Sequence, residues 1–284
     1  MQRIVVTGGS GKLGRAGVQD LIAYGYEVIN ADIAPPKKNL CPFCKVDFEN
    51  MAQTIELLSA MDFEDSRGVD AIVHLAAIPG PGIMPNETSF RLNTMSTYNI
   101  FEAARRLGIR NIVWASSETL LGLPFDEPPP YLPLDEEYAP RPQTGYSLSK
   151  FVGEEIAKQF CRWDPELKVV CLRFSNVMEP SDYAAFPSFD RNPAGRRFNL
   201  WGYIDARDGA QAIRKSLEAP LKGPHIFIIA NADTVLTRPN KEVLAEFYPD
   251  VPFKREIASD ETLLSIEKAR SVLGYEPQYS WRRA

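Results

Sequence analysis

The sequence predicts an α/β protein built on a doubly wound parallel β-sheet. Short β-branched runs alternate with segments of helical apolar periodicity, the links between them are short, and a glycine-rich turn separates the first strand from the first helix. Strands that alternate with helices need right-handed crossovers, so the strands run parallel and helices cover both faces of the sheet. Ligands of such sheets bind beyond the carboxyl ends of the strands.

The first unit is a strand, a tight turn and a helix, beginning with Arg3–Gly14, RIVVTGGSGKLG. Three glycines mark the turn, namely Gly8, Gly11 and Gly14. Glycine permits a sharp turn and a close approach of a diphosphate to the backbone, and the following helix directs its N-terminal N–H groups at the phosphates. Asp32 ends the next strand roughly 20 residues on, where a carboxylate can bind the adenosine ribose and repel a 2′-phosphate. The pattern predicts NAD as cofactor, and Lys37 and Lys38 leave the preference over NADP open.

The alternation continues to residue 116. We expect, in order, a strand over Cys44–Asp47, a helix over 50–60 capped by Asn50, a strand over 70–77, a helix that ends at Gly108, and a strand over 111–116. The strand over 70–77 is apolar throughout, as a strand covered on both faces should be. The predicted ligand edge therefore includes Thr7, Asp32, Asp47, residues 74–77 and residues 116–117.

The second half of the chain is less regular. After a proline-rich loop over 123–142 we expect a helix after Thr144, a strand over 168–174, an irregular segment over 175–201, a helix over about 207–218, a strand over 225–230, and helices over 241–247 and 262–273. Residues 1–174 are predicted to form the nucleotide-binding domain, joined by strand 224–230. Residues 175–284 are predicted to form a smaller substrate-binding lobe.

Composition and charge restrict the partners. The 284 residues are 44% hydrophobic and carry a net charge of −5, which suits a soluble globular protein with a sizeable core and disfavours nucleic acid. No apolar run is long enough to span a bilayer and the first strand begins at Arg3, so we expect no membrane partner, no signal peptide and a cytoplasmic location. Cys41 and Cys44 have zinc-knuckle spacing, but no second pair follows, so we expect reduced thiols and no metal.

Tyr146 and Lys150 carry the predicted chemistry. They are four residues apart on a helix and share one face. A neighbouring ammonium and a nicotinamide cation stabilise a phenolate and lower its pKa, so Tyr146 can take a proton from a substrate hydroxyl as hydride leaves for the cofactor. Ser117, at a strand tip, can hydrogen-bond the same hydroxyl. The alternative for Tyr146 and Lys150 is an exposed pair on a surface helix, and the alternative for Ser117 is a serine that only stabilises a turn. The position of these residues in a dinucleotide-binding fold favours a catalytic role.

These motifs resemble the extended short-chain dehydrogenase/reductases, the NAD-dependent epimerase/dehydratase family with a Rossmann fold. The resemblance rests on the glycine turn, Asp32, Val46-Asp47, HLAA at 74–77, Asn93, Ser116-Ser117 with Gly122, Tyr146-x-x-x-Lys150, and LRFSN at 172–176. The match runs in order from residue 1 to about 218, with a weaker echo over 265–274.

The resemblance implies roles for individual residues. The catalytic residues would be Ser117, Tyr146 and Lys150. Tyr146 and Lys150 would also hold the cofactor. The other cofactor-binding residues would be Gly8, Gly11, Lys12, Leu13, Gly14, Asp32, Asp47, Phe48, Leu75, Ala76, Ala77, Asn93 and Phe174. The substrate would meet Ser117, Ser175 and Asn176. Asn93 commonly braces the active-site backbone in the family, and a buried helix Asn with satisfied hydrogen bonds is the alternative.

Three departures from the family pattern bear on the reaction. Sugar dehydratases carry an Asp-Glu pair after the strand-end hydroxyl, and Glu118-Thr119 is only half of it. Leu121 stands where a tyrosine is usual. The segment over 180–203 is short for a nucleotide-sugar enzyme and resembles that of the uronate and aldose dehydrogenases. We predict an NAD-dependent oxidoreductase acting on a carbinol of a small sugar, sugar acid or polyol.

Two other functions stay open at this point. The alternative is an NAD-dependent (nucleotide-)sugar epimerase, which removes hydride and returns it to the opposite face. A third class is a redox-sensing binding protein, but it would need neither Tyr146 nor Lys150.

Two further expectations concern the substrate and the assembly. Arg196 and Arg197, with Arg191 nearby, could form a fork for a substrate carboxylate or phosphate, or only a solvated basic patch. The resemblance implies a homodimer that packs the long helix and the Tyr146 helix as a four-helix bundle. The apolar residues Phe151, Ile156 and Phe160 permit this, although they could also be core.

Overall fold

The computed structural model describes residues 1–59, 67–123 and 127–283. Its strands are β1 (Arg3–Thr7), β2 (Glu27–Asp32), β3 (Phe43–Lys45), β4 (Ala71–His74), β5 (Asn111–Ser117), β6 (Lys168–Phe174), β7 (Val177–Met178), β8 (Ile204–Asp205) and β9 (Gly223–Ile229). Its α-helices are α1 (Lys12–Ala23), α2 (Met51–Ser59), α3 (Asn86–Leu107), α4 (Gly145–Trp163), α5 (Phe186–Phe189), α6 (Ala206–Glu218), α7 (Asn240–Phe247) and α8 (Glu267–Leu273). None of the helices in these ranges is both long and apolar enough to cross a bilayer.

The described strands form one large parallel sheet and one small one. The large sheet has seven strands in the order β3-β2-β1-β4-β5-β6-β9, and β7 pairs with β8 in the small sheet. The predicted doubly wound α/β fold is therefore confirmed. The strand order reverses between β1 and β4, so a crevice opens at their carboxyl ends.

Several predicted boundaries differ from the structure. Strand β3 covers Phe43–Lys45 instead of 44–47, β9 begins two residues before the predicted 225, and the predicted end of the second helix at residue 60 lies outside the described residues. Strand β4 ends at His74 instead of residue 77, because Leu75 N still donates to Thr7 O at 3.1 Å but Ala76 N donates to the Thr7 side chain, also at 3.1 Å, which ends the backbone ladder.

The C-terminal part of the chain also differs. Helix α8 begins at Glu267 instead of residue 262, because residues 262–265 hydrogen-bond to neighbouring loops: Thr262 N donates to Ala232 O at 2.9 Å and Ser265 N to Leu134 O at 2.7 Å. The segment expected to be irregular contains short helical turns, Pro180–Ala185 and Pro193–Asn199, together with α5 and β7.

The hydrophobic core lies on both faces of the large sheet. On the α2, α3 and α4 side, Trp114 and Phe160 each pack edge-on against Phe101. The cluster on the other side continues without a break into the C-terminal residues, among them Trp201. Phe160 is only 1% exposed and belongs to the core on the α2, α3 and α4 side, so it is not available to the helix-bundle interface suggested by the sequence.

A buried ion pair fixes α4 on the sheet. Glu154 accepts hydrogen bonds from Arg173 at 2.9 and 2.8 Å and from Ser116 Oγ at 2.7 Å, and both charged side chains are 2% exposed. Because Glu154→Ala leaves a buried guanidinium unpaired, we expect it to lower the free energy of unfolding by about 3–5 kcal/mol in urea titrations. Glu155→Ala removes only an exposed pair with Lys158 and should cost less than about 1 kcal/mol. If Glu154→Ala and Glu155→Ala lowered the free energy of unfolding by the same small amount, the buried pair would not hold α4 on the sheet.

Candidate active site

A cavity of about 1150 Å³ opens along the carboxyl ends of β1, β4, β5 and β6. It lies at the switch point of the sheet, where ligands of this fold bind. Single-ligand pockets commonly measure about 300–1,000 Å³, so this cavity has room for a dinucleotide and a second small molecule. Its lining includes every residue predicted for catalysis and for the cofactor, together with Ser175 and Asn176.

The glycine turn leaves no space for side chains. A Cβ on Gly14 would lie 2.1 Å from Gly8 O, and a Cβ on Gly8, whose φ is +70°, would lie 2.7 Å from Ala76 N. The N-cap residue of α1 is Gly11, and no side chain caps the first turn. Gly8 N donates to Ala31 O at 2.8 Å and Gly11 N to Gly8 O at 3.1 Å, so these two glycines shape the turn, and the N–H groups that could bind a diphosphate are those of the first turn of α1, at Lys12, Leu13 and Gly14.

Two carboxylates line the part of the cavity beyond this turn. Asp32, at the end of β2, accepts hydrogen bonds from Ser10 N at 3.1 Å and Ala34 N at 3.2 Å, which fixes its carboxylate at the cavity wall. Asp47 accepts from Glu49 N at 3.0 Å and lies beside Phe48 in the lining. This arrangement fits an adenosine ribose at Asp32.

The residues after β4 form another wall, namely Leu75, Ala76 and Ala77. Asn93 braces the loop that follows, because its amide accepts from Ile78 N at 2.7 Å and donates to Ile78 O at 3.2 Å. The Asn93 side chain thus hydrogen-bonds to the backbone of the loop that lines the cavity. His74 is fully buried, with Nδ1 2.7 Å from Thr7 Oγ1. Burial, aided by the Lys150 charge, lowers the pKa of His74 to about 3, so it is neutral.

Helix α4 brings Tyr146 and Lys150 into the cavity. Thr144 caps the N-terminus of α4 in a reciprocal pair of hydrogen bonds with Ser147. Tyr146 and Lys150 therefore lie in the first two turns of the helix. Tyr146 is 7% exposed and Lys150 4%. The Lys150 ammonium lies 5.7 Å from the centre of the Tyr146 ring and donates to Ala115 O at 2.7 Å. The predicted pairing on one helix face is therefore present.

Burial opposes ionisation of both groups. It raises the pKa of Tyr146 to about 12, although a hydrogen bond with Ser117 works in the other direction, and it lowers the pKa of Lys150 to about 7. The side chains alone do not make the phenol acidic. Acidification needs the additional positive charge that was predicted to come from an oxidised nicotinamide ring.

Ser117 caps a turn and also lines the cavity. Its Oγ accepts from Thr119 N at 3.1 Å and from Thr119 Oγ1 at 3.0 Å, which caps the short helical turn after β5. Its hydroxyl proton can still be donated, and Ser117 lines the cavity beside Tyr146. A strand-end serine that is oriented by its own turn can therefore also bind a substrate oxygen.

Glu118 is a cavity residue to which the sequence analysis gave no role in the site. It is 5% exposed and accepts from Ser175 Oγ at 2.5 Å and Asn199 Nδ2 at 3.2 Å. Burial raises its pKa to about 7. Its position directly after Ser117 at a strand end was the available signal. Phe198, another lining residue, gave none, because it lies in a segment without periodicity.

The structure corrects the expectation for the arginines. Neither Arg196 nor Arg197 is among the cavity-lining residues. The Arg196 guanidinium lies 5.2 Å from the ring centres of both Phe189 and Phe198 and donates to Gly202 O at 2.8 Å. Arg197 lies over an aromatic ring of α7. Aromatic and backbone contacts therefore hold these groups outside the cavity, and the predicted fork is not formed. Within the described ranges, His, Cys, Asp and Glu side chains form no group of three that could hold a metal.

Sequence comparison links the chain to sugar epimerases. A profile of the NAD dependent epimerase/dehydratase family matches residues 4–230. UDP-glucose 4-epimerase of Mus musculus is 28% identical over 220 residues, which cover 72% of this chain and 61% of that protein. A putative UDP-glucose 4-epimerase of Methanocaldococcus jannaschii and UDP-glucose 4-epimerase 2 of Oryza sativa also match, and the chain spans 51–61% of the length of these three relatives.

Solved structures show the same fold. A short-chain dehydrogenase/reductase superfamily protein from Agrobacterium tumefaciens with bound NAD has a TM-score of 0.74 at 21% identity, covering 99% of this chain and 94% of that one. A mutated uronate dehydrogenase has a TM-score of 0.69 at 21% identity, covering 99% and 83%. Because the profile match extends from β1 to the end of the seven-stranded sheet, the chain belongs to the NAD dependent epimerase/dehydratase family.

Proposed function

We propose that the protein is an NAD-dependent enzyme that epimerises a sugar at a carbinol carbon. The observation that carries the proposal is the convergence of Ser117, Tyr146 and Lys150 on the cavity that also contains the glycine turn. The family relatives named as UDP-glucose 4-epimerases favour this function, which was the alternative from the sequence, over net oxidation, which was the main prediction.

The cofactor site is built from the residues already described. The glycine turn would hold the diphosphate, Asp32 the adenosine ribose, and Phe174 would border the nicotinamide. Bound NAD⁺ supplies a hydride acceptor and a cationic ring.

The protein's own groups would move the proton. Ser117 would donate a hydrogen bond to the reacting oxygen, and Tyr146 would take that hydroxyl's proton. Lys150, held by Ala115 O, would stabilise the phenolate by its charge. In epimerisation the oxidised sugar must turn over before Tyr146 returns the proton, so the cavity has to admit two orientations of the sugar.

Net oxidation of a small sugar is the second candidate. One observation favours it: between β7 and β8 the chain forms only short helical turns, the longest being Pro193–Asn199 with seven residues. Such a compact segment offers little surface for gripping a nucleotide.

One assay separates the two candidates. Purified protein with NAD⁺ is incubated with UDP-glucose, free aldoses, uronic acids and polyols, while NADH absorbance and sugar composition are followed together. An epimerase interconverts stereoisomers without net NADH formation, whereas a dehydrogenase forms one NADH for each sugar oxidised. Absence of both across the panel would contradict the proposal and favour a redox-sensing binding protein.

Asp32 provides a test of cofactor choice. Asp32→Ala removes the carboxylate that would repel a 2′-phosphate, so we expect the preference for NAD over NADP in kcat/KM to fall by about 10- to 100-fold, or ~1.4–2.8 kcal/mol. Asp47→Ala is the matched control, since Asp47 also lines the cavity but would affect both nucleotides alike. An unchanged preference in Asp32→Ala would remove Asp32 from the ribose site.

We also propose a homodimer formed through α3 and α4. Apolar side chains on these helices are exposed, with Met95 at 42%, Tyr98 at 39%, Leu148 at 42% and Trp163 at 53%. Equilibrium sedimentation should give twice the chain mass, and Leu148→Glu should give a folded monomer. A monomeric wild type would reject this assembly.

A further inference from the structure

The cavity contains almost no positive charge. Every Lys and Arg of the chain falls within the described residues, and only Lys12 and Lys150 line the cavity. Lys12 lies at the glycine turn, with Nζ 2.6 Å from Asp182, and Lys150 lies beside Tyr146. Both therefore lie toward the cofactor and the reacting carbon. No cation of the chain is left to line the remaining wall, where the rest of the substrate would lie.

As far as residues 1–59, 67–123 and 127–283 show, that wall is neutral except for one carboxyl group. We call it the substrate wall, and its members are Glu118, Thr119, Leu123, Thr144, Ser175, Asn176, Val177 and Phe198. Arg196 is near enough to stabilise the Glu118 charge, but its guanidinium is stacked behind Phe198 and is not in the lining. A substrate anion would thus meet a carboxylate with no cation exposed beside it. Burying such an unpaired anion is unfavourable.

Glu118 has one acceptor position left. A carboxylate offers about four lone-pair sites. Three are used by Ser175 Oγ at 2.5 Å, Asn199 Nδ2 at 3.2 Å and the backbone N–H of Asn176. The fourth can accept a hydrogen bond from a hydroxyl in the cavity, and Glu118 is held in place by donors from the two residues that follow β6 and from the turn that contains Asn199.

We propose that the substrate wall selects an uncharged, hydroxyl-rich sugar over anionic ones, both uronic acids and nucleoside diphosphate sugars, and that Glu118 is the specificity-determining residue. The inference rests on the proposed function and names the substrate class of that site. It predicts free neutral sugars as substrates, in contrast to what the names of the relatives suggest.

The ionisation of Glu118 agrees with this selection. Burial raises its pKa to about 7, and the groups that face it are Tyr146 from α4, Arg196 from the Pro193–Asn199 turn and Ser175, which directly follows β6. Above pH 7 the carboxylate is charged and repels an anion. Below pH 7 it becomes protonated, so discrimination against anions should weaken.

Matched sugar pairs test the selection directly. The pairs are D-glucose with D-glucuronate and D-galactose with D-galacturonate, and UDP-glucose is added as a third anionic probe. For wild type we expect the neutral member to exceed the anionic member in kcat/KM by about 100-fold at pH 8, and by less at pH 6. Glu118→Gln keeps the shape but removes the charge, so the ratio should fall at least tenfold and lose its pH dependence.

Glu166→Gln is the matched control, because it makes the same change at an exposed pair with Lys222 and should leave the ratio at its wild-type value. A wild-type preference for glucuronate, galacturonate or UDP-glucose would overturn the inference and leave the proposed function standing. An unchanged ratio of kcat/KM between neutral and anionic sugars in a folded Glu118→Gln protein would also overturn the inference. If wild type turns over no sugar, the proposed function fails, and calorimetric titration of the same pairs into NAD-loaded protein decides the inference: binding of anions as tightly as neutral sugars would overturn it.

Discussion

Replacing Tyr146 by Phe should lower kcat by about 10²- to 10⁴-fold, the usual contribution of a positioned acid–base group. The phenol is 7% exposed, so Phe fills the same space and removes only the hydroxyl. Ser117 and Lys150 keep their places, because Ser117 is held by its own turn and Lys150 by Ala115 O. Turnover of the best sugar found in the substrate panel is the measurement, and NAD affinity should change little.

Tyr248→Phe is the matched control, since it removes another buried hydroxyl, at the end of α7, from a residue outside the cavity lining. It should retain wild-type turnover. A folded Tyr146→Phe protein with wild-type kcat would exclude Tyr146 as the base.

Gly14→Ala should weaken NAD binding by about 100-fold or more, a loss of ~2.8 kcal/mol. The added Cβ would lie 2.1 Å from Gly8 O and 2.6 Å from Gly9 Cα, so the backbone of the turn must move. The diphosphate is expected to bind to the N–H groups of this backbone, and displacing them removes its donors. Calorimetric titration with NAD⁺ measures the change.

Gly17→Ala is a control on the same helix. Its Cβ would meet only Ile213 Cδ1, at 3.7 Å, which is ordinary contact. Alanine in a helix interior is favoured over glycine by roughly 0.5–1 kcal/mol, so this variant should gain stability and bind NAD normally. If Gly14→Ala binds NAD as tightly as Gly17→Ala does, the glycine turn is not the diphosphate site.

The features that the sequence predicted well are those that depend on local patterns. The strand, turn and helix over 3–23 follow from a β-branched run, three glycines and an apolar period, all within one short stretch. Tyr146 and Lys150 share a face because helical spacing alone requires it. The cavity lies where the parallel topology places the strands' carboxyl ends, so Asp32, Asp47 and Ser117 reach it without further information.

Features that depend on distant contacts could not be predicted. The Arg196 guanidinium packs against the rings of Phe189 and Phe198 instead of lining the cavity, and its immediate sequence gives no sign of that packing. Residues 262–265 have a helical apolar pattern, but their N–H groups find partners in the loops at residues 134 and 232. Glu118 becomes a buried acceptor only because Ser175 and Asn199 converge on it.

In the proposed mechanism Tyr146 becomes acidic only when a positive charge is bound beside it. The most direct test is a pH titration of tyrosinate absorbance, recorded as wild type minus Tyr146→Phe, with and without saturating NAD⁺. Burial raises the pKa of Tyr146 to about 12 in the protein alone, and we predict that NAD⁺ lowers it below the free-tyrosine value of about 10. Lys150→Met should bring it back up. A Tyr146 pKa that stays above about 10 with NAD⁺ bound would exclude this mechanism.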